Sequence, residues 1–514
     1  MKFVNPIIRG FYPDPSVCKA DGRYYMVTST FQYFPGVALF ESSDMLNFKQ
    51  IGSVLTRKSQ LPLKNAGTSG GIYAPTIRYH EGRFYMVVTN VSHGGNFYVW
   101  TDDIHGEWSD PIYVDQGGID PTIFWDDDGS VYFMSNEADT KSEAFEKRDP
   151  VRCPGGLPCI SMCEIDIETG KKLSETRPLW YGNGGRHMEA PHLYKINGWY
   201  YMLDAEGGTE YGHMVCYARS RNLWGPWEAF PGNPALTMRD NPYSILQGSG
   251  HGDLIEDDHG NWWFVNLAFR TIPGCGQHHH LGRETCLNPV SFKDGWFYIG
   301  NGEVKTVYDL PELLGEQESR DFNYTFETLS KDRDFLFLHA FEKKNYRFKK
   351  DSLTLTGTSA SPFIQSDDPV FAGIRQTEFQ EDMAVTLESA AEEAGVTVYM
   401  DSEHHYDLYL ENGTTAVLRM QIGCVTEIKK TASVSGKLRL SVHADDDCYT
   451  FRATEILKDG GTREIPMGSG MAHYLSSETA GGFTGVLFGM YAIDTEGKKA
   501  VFTALEMKHE EEKA

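Results

Sequence analysis

At 514 residues, with 40% hydrophobic and 23% charged residues, the chain has a globular composition and is too long for one ordinary core, so two or more domains are expected. Its 47 basic and 72 acidic residues give a net charge of −25, which repels phosphate backbones and anionic lipid heads and excludes nucleic acid and membrane surfaces as natural partners. No apolar run approaches the roughly 18 residues that span a bilayer, and nine scattered cysteines, an odd number, fit reduced thiols better than a disulfide framework.

The start, Met1 to Pro6, carries no apolar secretory segment, and together with the thiols this reads as a cytoplasmic protein. From there a turn-and-strand unit recurs five times. Its copies are Gly22-Arg-Tyr-Tyr-Met-Val, Gly82-Arg-Phe-Tyr-Met-Val, Gly129-Ser-Val-Tyr-Phe-Met, Gly198-Trp-Tyr-Tyr-Met-Leu and Gly260-Asn-Trp-Trp-Phe-Val. Each reads as the second strand of a hairpin, entered through a polar turn such as Asp126-Asp-Asp-Gly129. Spacings of 47 to 69 residues suit four-stranded blades, so the expected fold is all-β: a five-bladed β-propeller. Eight or nine residues before each glycine stand Asp14, Ala74, Asp120, Glu189 and His251. As equivalent residues at the start of each innermost strand, they are expected to point into one central funnel. Taken singly, the acids would read as solvated punctuation at strand starts. In phase with a structural repeat, three of them read as a site.

The stretch from Glu137 to Cys163 interrupts the repeat and is expected to form a long loop at the funnel rim. Its Cys153, Cys159 and Cys163 lack the paired spacing of a zinc site. Near residue 310 the repeat stops. Leu310 to Arg320 reads as a polar linker, and the alternating runs after it, such as Ser352-Leu-Thr-Leu-Thr and Lys437-Leu-Arg-Leu-Ser-Val, predict a C-terminal β-sandwich. The expected division is therefore 1–309 propeller, 310–320 linker and 321–514 sandwich, with the end from Lys508 onward frayed.

Three carboxylates converging on a concave site suit general acid and base work on a neutral polar substrate, and glycoside hydrolysis needs such a pair. They also suit calcium, although all-oxygen cages usually draw ligands close in sequence, which these are not.

Beyond this residue-level reading, Asn5-Pro-Ile-Ile-Arg-Gly-Phe-Tyr-Pro-Asp-Pro-Ser16, Gly118-Ile-Asp-Pro-Thr-Ile-Phe and Glu189-Ala-Pro-His-Leu-Tyr-Lys195 resemble the three catalytic signatures of glycoside hydrolase family 43. Thr28-Ser-Thr-Phe-Gln-Tyr-Phe-Pro-Gly36 and Leu281-Gly-Arg-Glu-Thr285 resemble its β-xylosidase and α-L-arabinofuranosidase branch, whose members also carry a C-terminal sandwich that lends a loop to the pocket. The resemblance implies an inverting exo-glycosidase releasing terminal xylose or arabinofuranose from xylo-oligosaccharides or arabinoxylan fragments. It implies Asp14 as general base, Glu189 as general acid and Asp120 as the residue tuning Glu189. It further implies Arg283 and Phe31 at the sugar subsite, and a calcium ion on the propeller axis with His251 as its one protein ligand. A plain hydrogen-bonding role is the alternative for His251. Tyr73, beside Ala74, replaces a tryptophan usual in the xylosidases, which leaves the balance between the two sugars open. Arg148-Asp149-Pro150 mimics a motif of the retaining, invertase-type propeller enzymes but stands outside the repeat phase. His278-His279-His280 reads as a loop beside the pocket. The rival functions are a non-catalytic carbohydrate-binding propeller, an arabinanase and a retaining fructan hydrolase. The expected partner is an oligosaccharide, with no organic cofactor, and the sequence is compatible with a homo-oligomer.

Overall fold

The computed structural model describes residues 2–147, 155–272, 277–310, 315–365 and 368–509. Five antiparallel sheets, four of them four-stranded and the fourth in chain order five-stranded, follow one another along the chain, here blades I to V. Their innermost strands are Ser16–Ala20, Thr76–His80, Thr122–Trp125, Glu189–Ile196 and Leu246–Glu256. The second strands, Arg23–Thr28, Arg83–Asn90, Val131–Asp139, Trp199–Glu206 and Trp262–Arg270, are the glycine-led repeats. These are buried almost throughout because each blade packs against a neighbour on both faces, which is why their apolar runs are continuous instead of alternating. The ring is fastened by strand Lys2–Val4, which pairs antiparallel with Val307–Asp309, and by Asn5, whose side chain exchanges two 2.9 Å hydrogen bonds with the backbone of Leu287.

Two eight-stranded antiparallel sheets built mainly from residues 322–509 form the sandwich over a single large apolar core. Strand Tyr33–Phe34 of the propeller completes the edge of one of them by pairing with Phe335–Leu338. Across the seam, Glu284 and Glu378 share the buried Arg270 at 2.8 and 2.7 Å, and Arg9 adds a second cation to Glu378. A propeller strand on the edge of a sandwich sheet, plus this charged seam, ties the two units together.

Below the mouth of the funnel, the channel is plugged by polar side chains. Asp253 of blade V accepts from Ser16 Oγ (2.6 Å, blade I), Arg78 Nη1 (2.6 Å, blade II) and the Tyr194 hydroxyl (2.6 Å, blade IV). Burial alone would raise the Asp253 carboxyl, but the Arg78 guanidinium, with His192 and Ser16, outweighs it and holds the group well below the usual carboxylate range. Replacing Asp253 with alanine strands a buried guanidinium and is expected to cost about 3–5 kcal/mol, read as a lower midpoint of chemical unfolding. Because the folded-state value is depressed, the stabilisation is present above about pH 4 and is lost as pH falls through that range toward the folded value.

Several expectations need correction. Glu137 to Asp139 and Leu157 to Glu164 are not loop: they extend the central hairpin of blade III, pairing from Tyr132↔Glu164 to Asp139↔Leu157. Between these strands the described residues include a short helix, Glu143–Glu146; Arg148-Asp149-Pro150 and Cys153 lie outside the described residues. Cys159 and Cys163 are buried strand residues, and the seven cysteines among the described residues are all free. The histidine tract is irregular, as a loop should be, but it is not on the surface. His278, His279 and His280 are buried in the seam, where His279 meets Glu478 at 2.8 Å and stacks on Phe269. Lys508 and His509 are not frayed but pair with Asn323 and Phe322. Residues 315–320 are irregular, as a linker should be, yet lie docked along the N-terminal strand through Gln317 and Val4.

Candidate active site

The repeat glycine gives an absolute register for the funnel. The fifth residue after it, Val27, Val87, Met134, Leu203 or Val265, pairs with Ser16, Thr76, Thr122, His192 or Asp253. Counting two residues back along each inner strand gives Asp14, Ala74, Asp120, Ala190 and His251 as the equivalent positions. Glu189 is therefore one residue ahead of the place the sequence spacing assigned to it, and corresponds to Tyr73 and Ile119. A count of eight or nine residues could not resolve this, because the hairpin turns differ in length: the inner-strand residue paired with the fifth position stands six residues before the glycine in blades I, II and IV and seven in blades III and V. Four of the five equivalent residues share a left-handed backbone, with φ of 57° at Asp14, 53° at Asp120, 54° at Ala190 and 38° at His251. Such conformations cost about 1–3 kcal/mol in non-glycine residues and persist where surrounding structure enforces them, typically at functional sites. The kink at Ala190 turns the preceding side chain, Glu189, toward the same cavity as Asp14 and Asp120.

That cavity has a volume of about 290 Å³, and all eight residues singled out in the sequence line it: Asp14, Phe31, Tyr73, Ala74, Asp120, Glu189, His251 and Arg283. Asp14 is buried and accepts from Ser29 Oγ at 2.5 Å and Arg283 Nη1 at 2.6 Å, with His251 Nδ1 at 3.8 Å. Arg283 also donates to Thr209 Oγ1 (3.0 Å) and the Phe483 carbonyl (3.3 Å). Its guanidinium lies 5.6 Å from the ring centre of Phe31 and 5.7 Å from that of Phe483. Phe31, Tyr73 and Phe483 form one aromatic wall, with ring centres 5.4 to 6.0 Å apart.

The electrostatics separate the acids. Burial, the Asp14 charge and, in opposition, Arg283 push the Glu189 carboxyl up to about 7. Burial and then the charges of Glu189 and Asp14 raise Asp120 well above the carboxylate range, while Arg283 and the Ala190 backbone N–H oppose the rise. Asp120 and Glu189 therefore titrate as a pair that holds a proton near neutrality. Asp14 is the member paired with the cation. Burial lowers the His251 imidazole, with the Asp14 charge in opposition.

The axis does not provide a protein cage for calcium, which wants six to eight oxygen ligands. Among the described residues no group of three or more His, Cys, Asp or Glu side chains is arranged around a metal position. His251 offers one nitrogen, and Asp14 beside it is committed to Ser29 and Arg283. A cation there would rest on His251 and water.

Sequence reasoning missed Ile119, His187, Gly208, Thr209, Glu210 and Phe483, which complete the lining. Phe483 comes from the sandwich, where its backbone N–H binds Ser69 Oγ at 2.8 Å. A loop from that domain was expected from the resemblance, but no repeat could single out its residue. Thr209 and Glu210 follow Gly207-Gly208 at the end of a repeat strand, and that glycine pair was the available signal.

The profile of "Glycosyl hydrolases family 43" matches residues 3–297, which hold every acid of this cavity. The chain belongs to glycoside hydrolase family 43. The family's "Beta xylosidase C-terminal Concanavalin A-like domain" profile matches residues 323–508. Among related proteins, a non-reducing end α-L-arabinofuranosidase from Bacteroides ovatus is 38% identical, over 95% of this chain and 91% of its own. A xylosidase/arabinosidase from Butyrivibrio fibrisolvens is 35% identical over 95% of both. Among solved structures, a xylan β-1,4-xylosidase from Bacillus halodurans superposes with a TM-score of 0.87 at 30% identity, covering 99% of this chain and 100% of its own. This family 43 protein is thus a glycoside hydrolase with a five-bladed propeller and a C-terminal sandwich, and the expectation of family and fold is met in full.

Proposed function

We propose that the protein is an inverting exo-glycosidase that releases terminal β-xylopyranose or α-L-arabinofuranose from short xylan-derived oligosaccharides. The observation that carries this is the division of labour in one small cavity: Glu189 retains a proton toward neutral pH, while Asp14 is held beside Arg283 and Ser29. Asp14 then takes a proton from water as its oxygen attacks the anomeric carbon. Glu189 gives its proton to the departing glycosidic oxygen, and both acids re-equilibrate with solvent. Asp120, coupled to Glu189, keeps the proton affinity of the pair high. Arg283 and the aromatic wall hold the sugar ring.

At about 290 Å³ the cavity lies at the small end of ligand pockets, and Phe483 bounds it from the sandwich side, which supports removal of single terminal units over cleavage within a chain. The two curated relatives support both sugars, one being named for arabinofuranose and the other for both. Side-by-side assays on the 4-nitrophenyl glycosides of β-D-xylopyranose and α-L-arabinofuranose test the reading. Turnover of at least one is expected, and silence on both would return the protein to the binding-propeller reading. An axial calcium ion on His251 and water belongs to the proposal in a structural capacity only. It is supported if chelation lowers thermal stability and calcium restores it, and dropped if chelation changes nothing.

A further inference from the structure

Behind the general acid lies a second buried pair of carboxyls that the mechanism above does not use. Strand Trp199–Glu206 of blade IV ends in Asp204, Ala205 and Glu206, and Ala205 pairs directly with Glu189. Both acids are fully buried. The Glu206 carboxylate accepts the backbone N–H of Asn183 at 2.6 Å and of Gly185 at 2.5 Å, with the Asn183 side-chain amide at 3.4 Å. The turn is shaped to receive it: a Cβ on Gly185 would lie 2.5 Å from Oε2, and one on Gly182 2.9 Å from Oε1. That turn runs straight into His187, which lines the cavity, and then into Glu189. On its other side Glu206 begins the segment Gly207 to Glu210. The Gly207 N–H binds the Arg186 carbonyl at 2.7 Å, and Thr209 meets Arg283.

We propose that Glu206 is a positioning residue for the general acid, clamping the turn that delivers His187 and Glu189 against the segment that delivers Thr209. The inference rests on the reading of Glu189 as the acid. Asp204 completes the device. Burial, followed by Glu206, raises its carboxyl well above the usual range, with Trp180 in opposition. With that raised proton affinity Asp204 avoids placing a second buried charge beside Glu206.

A displaced general acid harms poor leaving groups most, because acidic phenols depart without a proton. The experiment therefore measures kcat and KM on phenyl and 2,4-dinitrophenyl xylosides (or arabinofuranosides, whichever sugar is turned over) for the wild type, Glu206→Gln, Gly185→Ala and Glu189→Ala. Gly185→Ala leaves every hydrogen-bonding group in place and pushes on Oε2, so it supplies the answer if Glu206→Gln does not fold. Expected for the folded Glu206 or Gly185 variant is a fall in kcat of about 10- to 100-fold on the phenyl glycoside, at nearly constant KM and with a much smaller fall on the dinitrophenyl glycoside. Equal losses on both substrates, or no loss, would overturn the positioning role. If Glu189→Ala itself showed no leaving-group dependence, the acid assignment would fall instead, so the two failures are distinguishable.

Discussion

Glu189→Gln is expected to slow sugar release from xylobiose or an alkyl glycoside by about 10²–10⁴-fold, the usual contribution of a positioned general acid. The pH profile carries the sign. The acid must be protonated to act, so wild-type kcat/KM should fall as pH rises through about 7, the value to which burial and the Asp14 charge push Glu189. Because Asp120 shares the titration, this alkaline limb belongs to the pair, and it should collapse in the variant. Fold is not at stake. A buried carboxyl with a raised proton affinity loses its favourable contribution as pH rises from the unfolded value through about 7, so at pH 8 the glutamine variant should be at least as heat-stable as the wild type.

Asp14→Asn is the second large effect, again about 10²–10⁴-fold, because the attacking water loses its base. Here the residual activity is informative. The Asp14 charge is one cause of the raised proton affinity of Glu189 and Asp120, whereas Arg283 lowers it. Removing the charge while keeping the guanidinium should move the alkaline limb of the remaining activity to lower pH. A limb that stays in place would mean that Asp14 and Glu189 do not sense one another, and the pairing of base and acid would fail.

Much of this site was legible because its residues ride on a repeat. Asp14 and Asp120 stand two residues before an inner strand and His251 lies within one, each in phase with a glycine-led neighbour, so periodicity alone brought them to one axis. Glu189 was found for a slightly wrong reason: it stands one residue ahead of the repeat position, and only the strand pairing reveals Ala190 as the true equivalent. Arg283 was flagged by its motif, but the adjacent Glu284 turned out to serve the seam with Arg270. What stayed hidden depends on contacts between units far apart in sequence. Phe483 lies in the sandwich, the buried histidine tract lies between domains, and Glu206 is masked by its place in an aromatic repeat strand. The blade III insertion was misjudged because hairpin strands can lengthen without disturbing the phase of the blades around them.

The central claim is that Asp14 activates water on the face of the sugar opposite the bond that Glu189 helps to break. Proton NMR of the first minutes of turnover tests it directly, provided that spectra are taken before the released sugar mutarotates. The account predicts that a β-xyloside yields α-xylose first, or that an α-L-arabinofuranoside yields the β-anomer first. First appearance of the substrate's own anomer would mean a covalent intermediate, and would contradict the assignment of Asp14 as a base.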